Sequence, residues 1–203
     1  MEGYTKLGFL GGMSVPAVIR YGYGFVQGAD DAAAELGTEI SINYWYCGSF
    51  APNDDIKVKM SGWYTEGVEV IFSCGGGIYL SACAAAEEAG AKVIGVDTDQ
   101  YYVSDTIITS AMKGIKQSVI LALTDLYANE GVWPAEYAGV TSVLGAAEDC
   151  VGLPTAETSW RMANFTVEAY DELFAKVKSG EVEISNATDA APEVTNATVD
   201  YQE

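Results

Sequence analysis

The residues able to do chemistry gather at a few points. Val93-Ile94-Gly95-Val96 runs into Asp97-Thr98-Asp99-Gln100, an apolar stretch closing on two carboxylates. A carboxylate at a strand's end can accept hydrogen bonds from two vicinal hydroxyls, and Lys113 offers a complementary charged donor. The same carboxylates can equally cap a turn or a following helix. As a pair, Asp97 and Asp99 admit acid–base hydrolysis, but nothing else in the sequence supports that chemistry. Gly75-Gly76-Gly77 follows a strand-like run; it can form a tight turn or let a ligand approach the backbone closely. It is not a P-loop, because no Gly-Lys-Ser/Thr follows, and it lacks the full dinucleotide fingerprint. Phe50, in the loop Gly48-Ser49-Phe50, can stack on a planar ring or pack on its own domain.

Other chemistry is closed off by composition. There is no histidine, which removes the commonest general base and metal ligand and with them every Ser-His or Cys-His nucleophile. The cysteines at 47, 74, 83 and 150 show no metal-like spacing. They read as buried and reduced, a disulfide between neighbouring strand ends being the alternative. No catalytic residue, metal or cofactor is expected. The net charge is −19 with only ten Lys and Arg, so the surface repels nucleic acid and anionic membranes. Met1-Glu2-Gly3-Tyr4 carries no leader and no lipid-attachment cysteine, which by itself reads as cytoplasmic.

Strand-sized apolar runs alternate with helix-length stretches. Strands are expected at 6–10, 40–46, 68–73 and 92–96, with helices between them. Ser14 is expected to cap the first helix, Pro16 to sit in its first turn and Gly37 to end it. Helical crossovers of this length imply an α/β fold with a doubly wound parallel sheet. Ligands then bind beyond the carboxyl ends of the strands, which here read Gly11-Gly12-Met13, Cys47-Gly48-Ser49-Phe50, Cys74 to Gly77, and Asp97 to Gln100. Further on, a brief strand is expected at 106–110, a helix at 113–128, a strand at 137–144, irregular chain to 153 and a helix from about 166 to 179. Residues beyond about 185 are acidic and poor in large apolar groups, which reads as a disordered tail.

Taken together, these strings resemble the basic membrane protein family, the substrate-binding lipoproteins of ABC importers that include purine nucleoside receptors. The likeness lies in Leu7 to Met13, Gly48-Ser49-Phe50, Val70-Ile71-Phe72 with Gly75-Gly76-Gly77, Val93 to Gln100, Thr109-Ser110-Ala111-Met112-Lys113, and the end Lys178 to Val182. The resemblance implies a type I periplasmic-binding-protein fold, two α/β lobes clamping a ligand, and a non-enzymatic receptor working with an importer's permease. It implies that Phe50 stacks on a nucleobase, that Asp97 and Lys113 hold ribose hydroxyls, and that Gly12, Met13 and Gly75 to Gly77 line the ligand. Because family members begin with a lipoprotein signal and a first lobe, the chain is expected to represent the later part: residues 1–104 the second-lobe core, 105–130 a crossover normally packed on the first lobe, 131–185 the return, and 186–203 the tail. The full-length protein would be lipid-anchored at the cell surface or in the periplasm. An uncovered crossover helix would favour a homodimer. A ligand sensor or interaction domain on the same fold is the alternative, with a nucleoside- or sugar-processing enzyme behind it.

Overall fold

A computed structural model describes residues 3–203; Met1 and Glu2 lie outside the described residues. Strand β1 (Lys6–Gly11) leads into α1 (Pro16–Leu36), β2 (Ile40–Tyr46), α2 (Asp54–Thr65), β3 (Val70–Cys74), α3 (Tyr79–Ala89) and β4 (Lys92–Asp97). These follow the expected rhythm closely because β1, β3 and β4 are mostly apolar runs covered on both faces and β2 buries one face through Ile40, Ile42 and Tyr44. One layer of core joins Leu7, Phe9, Tyr44, Phe72 and Val96 to α1. The other joins Leu10, Ile71 and Val93 to α2 and α3 through Met60, Trp63 and Ala86. Local chemistry marks the helix ends: Asn53 Oδ1 accepts from Ile56 N at 2.9 Å, and Gly37 closes α1 at φ 64°. Ser14 does not cap α1. The cap residue is Val15, with no side-chain hydrogen bond, and Pro16 occupies the first turn as expected.

With β5 (Ile107–Lys113), β6 (Val151–Gly152) and β7 (Ala197–Gln202), the sheet has the order β6-β5-β4-β3-β1-β2-β7. All neighbouring strands are parallel except β5 and β6. The chain winds outward from β1 to β2 on one side and to β3, β4 and β5 on the other. The topological switch point therefore lies between β1 and β3, whose carboxyl ends are Gly11 and Cys74, and ligands of such sheets bind in that crevice.

Three expectations are corrected. The strand expected at 106–110 extends to Lys113 as β5, so Lys113 belongs to a strand, and α4 starts later, at Ile115–Ala128. Residues 137–144 form turns and irregular chain. Their apolar, β-branched composition is strand-like, but the sheet edge beside β5 is taken by β6, and Val140 and Val143 are exposed. The tail is not disordered throughout: Ala197–Gln202 forms β7, paired in register with β2 from Ile40 to Trp45. Its few apolar groups suffice because Ala197 and Val199 pack on the core and the backbone is satisfied by β2. The last helix, α5 (Val167–Ser179), is capped by Thr166.

Candidate functional site

The glycine turn after β3 is built around Phe50. Gly75 and Gly76 have φ of 146° and 52°, conformations that a residue with a Cβ adopts poorly. A methyl on Gly76 would lie 2.5 Å from the Phe50 carbonyl oxygen, and one on Gly75 would lie 2.9 Å from the Phe50 ring. Gly77 N donates to that carbonyl at 2.8 Å. On the β1 side, Gly12 N donates to Cys74 O at 2.9 Å and Gly48 N to Gly12 O at 2.8 Å. A Cβ on Gly12 would collide with the Phe50 ring. Backbone from the ends of β1, β2 and β3 thus meets at the switch point, with Phe50 as the ring between two glycine turns. Phe50 and Met13 both remain partly exposed there.

Asp97 ends β4 in an unusual conformation. Its φ is 68°, and Thr98 N reaches back to Val96 O at 2.8 Å, a three-residue turn with Asp97 at its centre. Non-glycine residues at positive φ cost energy and concentrate at functional sites. The turn is held from behind by Gln100, whose Oε1 accepts from Val96 N at 3.1 Å while its N donates to Ser110 Oγ at 3.1 Å. Gly95 leaves room for this return, since a Cβ there would strike Gln100 Oε1. Asp99 is engaged elsewhere, its carboxylate accepting from Ser159 Oγ at 2.5 Å and from Tyr101 N at 3.3 Å. It therefore fastens the returning chain, where Arg161 N also donates to Ile108 O.

Lys113 ends β5 one position beyond Met112, the residue paired with Asp97. Both charges act on Cys74. Burial pushes its thiol up to about 12, Asp97 adds to the rise and Lys113 opposes it. The Tyr21 phenol is likewise raised, first by burial and then by Asp97 and Cys74; its hydroxyl donates to Met112 O at 3.1 Å. Asp97, Lys113, Cys74 and Tyr21 therefore share one neighbourhood, and Cys74 joins it to the glycine turn.

Lys113 and Tyr21 also line a cavity of about 750 Å³ that continues along Arg20 and residues 141–151. A second cavity, of about 600 Å³, lies between the end of α4 and residues 134–137, away from these strand ends. Among the described residues no cluster of ligands for a metal ion occurs, and no helix is long and apolar enough to cross a membrane. What the strand ends carry is an aromatic ring, backbone at glycine turns, a carboxylate and an ammonium. Tyr21 and Ser159 were not singled out from sequence, and Gln100 and Ser110 stood there only as members of longer strings, without a role of their own. Only the contacts of the folded chain give these four their parts.

A family described as ABC transporter substrate-binding protein PnrA-like matches residues 2–188. Basic membrane protein D of Borreliella burgdorferi is 33% identical over 151 residues, covering 73% of this chain and 42% of that protein. The ABC transporter nucleoside-binding protein BmpA of Lactococcus lactis is 30% identical over 107 residues, covering 49% and 29%. This chain thus spans less than half the length of these relatives. Among solved structures, an ABC transporter solute-binding protein from Aeropyrum pernix shares the fold with a TM-score of 0.70 at 24% identity, covering 91% of this chain and 58% of that one. A transcriptional activator of the comK gene from Bacillus halodurans shares it at 0.62 and 16%, covering 95% and 60%. With nearly its whole length matched, the chain belongs to the PnrA-like family of ABC transporter substrate-binding proteins, a family of binding proteins and not of enzymes.

Proposed function

We propose that this chain is the second lobe, with a crossover segment that belongs to the first, of a solute receptor for an ABC importer, and that its ligand is a nucleoside, purine nucleosides foremost. The observation that carries the reading is the meeting of Phe50 with the turns Gly12-Met13 and Gly75-Gly76-Gly77 at the sheet's switch point. Asp97 and Lys113 stand at the next two strand ends. The ring is suited to stack on a base, Asp97 to accept from ribose hydroxyls and Lys113 to donate to them. Closure of a second lobe would complete the site and exclude water. The likeness to a relative described as nucleoside-binding supports the ligand class.

The crossover supports the two-lobe reading. Helix α4 buries none of its residues, and Ile115, Val119, Ile120, Leu123 and Tyr127 are exposed along it. A helix this apolar is expected to be covered, here by a first lobe in the whole receptor or by a second copy when the chain stands alone. The whole receptor is placed at the cell surface or in the periplasm, lipid-anchored, with the importer's permease as partner.

The test is calorimetry of adenosine, guanosine and inosine on the receptor carrying both lobes. Binding is expected, and Phe50→Ala should weaken it by about 1–3 kcal/mol, the usual worth of a base–aromatic stack. Absence of heat with all three nucleosides would refute the ligand class. Unchanged affinity in Phe50→Ala would remove Phe50 from the site.

A further inference from the structure

Beyond α5 the chain crosses the outside of α1 and is gripped there by one stripe of that helix. Gln27 makes a two-way contact with Ser185, donating from Nε2 to its carbonyl at 3.1 Å and accepting its N–H at 2.9 Å. Arg20 Nε donates to Asn186 O at 3.2 Å. Asp30 Oδ1 alone receives three successive backbone amides, from Thr195 at 2.9 Å, Asn196 at 2.5 Å and Ala197 at 2.7 Å. The chain then enters β7 beside β2. Residues 189–203 lie beyond the family match, which ends at 188.

The forces holding this segment differ from those holding the sheet. Phe9, Ile71 and Val93 of the inner strands are wholly buried, whereas Ala197 is the single residue of β7 that is buried and Tyr201 is 45% exposed. What fixes β7 is mostly polar: the Asp30 cluster, the ladder with β2, and Trp63 Nε1 donating to Gln202 Oε1 at 3.1 Å. Units with few buried apolar contacts open before the global core does. A charge-assisted bond to an N–H is about twice as strong as a neutral one, which makes Asp30 the strongest single point of attachment.

We propose that residues 185–203 form a latch that opens as a unit. Asp30 is its catch, and β7 is the strand that closes the otherwise open edge of β2. While shut, the latch keeps β2 from offering unpaired N–H and C=O groups to other chains. It also seats Tyr201 5.0 Å from Tyr44, whose hydroxyl meets that of Tyr46 at 2.7 Å. Tyr46 in turn packs on Gly11 at the switch point. The edge strand and the ligand end of β1 are thereby joined through three tyrosines.

Hydrogen exchange read by mass spectrometry on the intact chain tests this. In Asp30→Ala, peptides covering β7 and the β2 edge should exchange about 10- to 100-fold faster, as expected for losing bonds to a charged acceptor. Peptides from β1 and β3 should keep the wild-type rate, and Asp30→Asn, which retains one acceptor oxygen, should fall between. Unchanged exchange of β7 in Asp30→Ala would overturn the role of Asp30. Equal acceleration of β1 and β3, or global unfolding, would show that β7 belongs to the cooperative core, which would overturn the latch itself.

Discussion

Three glycines on one helix should respond to alanine with opposite signs. Gly22, Gly24 and Gly28 all lie inside α1, where replacing glycine by alanine gains about 1 kcal/mol of helix stability each. At Gly24 and Gly28 an added Cβ meets nothing within 4 Å, so that gain should appear in full. At Gly22 the methyl would overlap the Tyr44 hydroxyl and lie 2.8 Å from two carbons of the Phe9 ring. Neither ring can retreat: Phe9 is fully buried and Tyr44 is 1% exposed. They stack at 4.4 Å, and Tyr44 is tied to Tyr46. Overpacking costs about 1–3 kcal/mol, and breaking the tyrosine pair about 1 more. Set against the helix gain, Gly22→Ala should lose about 1–3 kcal/mol, and the double variant Gly24→Ala/Gly28→Ala should gain about 1–2. Urea denaturation reads both from the midpoint at constant slope, and Tm should move by about 2–4 °C per kcal/mol in a chain of this size. A Gly22→Ala protein as stable as wild type would refute the packing of α1 on the sheet. A destabilised Gly24→Ala would refute the exposure of the opposite face.

Of the four thiols, native labelling with a maleimide at pH 8 should reach Cys47 first, the others being buried and Cys74 and Cys83 pushed up to about 12 and about 11 chiefly by desolvation. Peptide mapping that finds Cys74 tagged as fast as Cys47 contradicts this. Arg161→Ala should cost about 1–3 kcal/mol, because Nη1 serves the carbonyls of Ser104 and Ile107 at 2.9 and 3.1 Å. Asp105→Ala should cost almost nothing, since its carboxylate, 3.5 Å from Arg161, is fully exposed; equal costs in a denaturation series would reverse that assignment. Light scattering of this chain alone should give a mass that rises with concentration, abolished by Val119→Glu/Leu123→Glu on α4; a concentration-independent monomer removes the dimer. Partial burial acts to raise the Asp30 carboxyl, but the amides of Asn196, Ala197 and Thr195 outweigh it and hold the carboxyl below its ordinary 3.8. A group lowered on folding stabilises the protein above its unfolded pKa and stops doing so as pH falls through the folded value. The excess protection of β7 over Asp30→Ala should therefore be full at neutral pH and vanish at strongly acid pH, and a constant excess across that range would exclude Asp30 as its source.

The legible parts of this fold are those where neighbours in sequence supply the constraint. Leu7 to Leu10, Val70 to Ser73 and Val93 to Val96 are almost wholly apolar and read as inner strands, while Ile40 to Tyr46 alternates Ile40, Ile42 and Tyr44 with Ser41 and Asn43 and reads as a strand with one buried face. Gly37 and Thr166 mark helix ends by local hydrogen bonding. What escaped depends on partners far away. Tyr137 to Leu144 is richer in apolar and β-branched residues than β7, yet it forms no strand, while the polar end of the chain finds the edge of β2. The Asp30 carboxylate that organises β7 lies more than 160 residues from the amides it binds, and no window of sequence contains both.

The candidate site divides along the same line. Gly75-Gly76-Gly77 left two readings open, a turn or an approach, and the contacts with the Phe50 carbonyl and ring join them: the glycines are needed because Phe50 occupies the place a side chain would fill. Asp97 was open between capping and ligand contact. A capping aspartate spends its oxygens on nearby N–H groups, as Asp99 does with Tyr101. Asp97 instead sits at the centre of a turn closed by backbone alone, at a φ that costs energy, with Gln100 and Ser110 bracing it from behind. Its charge and that of Lys113 both reach the buried Cys74 thiol, which is where the proposed ribose contact needs a carboxylate and an ammonium. The turn and its bracing fix where Asp97 stands, and no residue type in Val93 to Gln100 discloses them by itself.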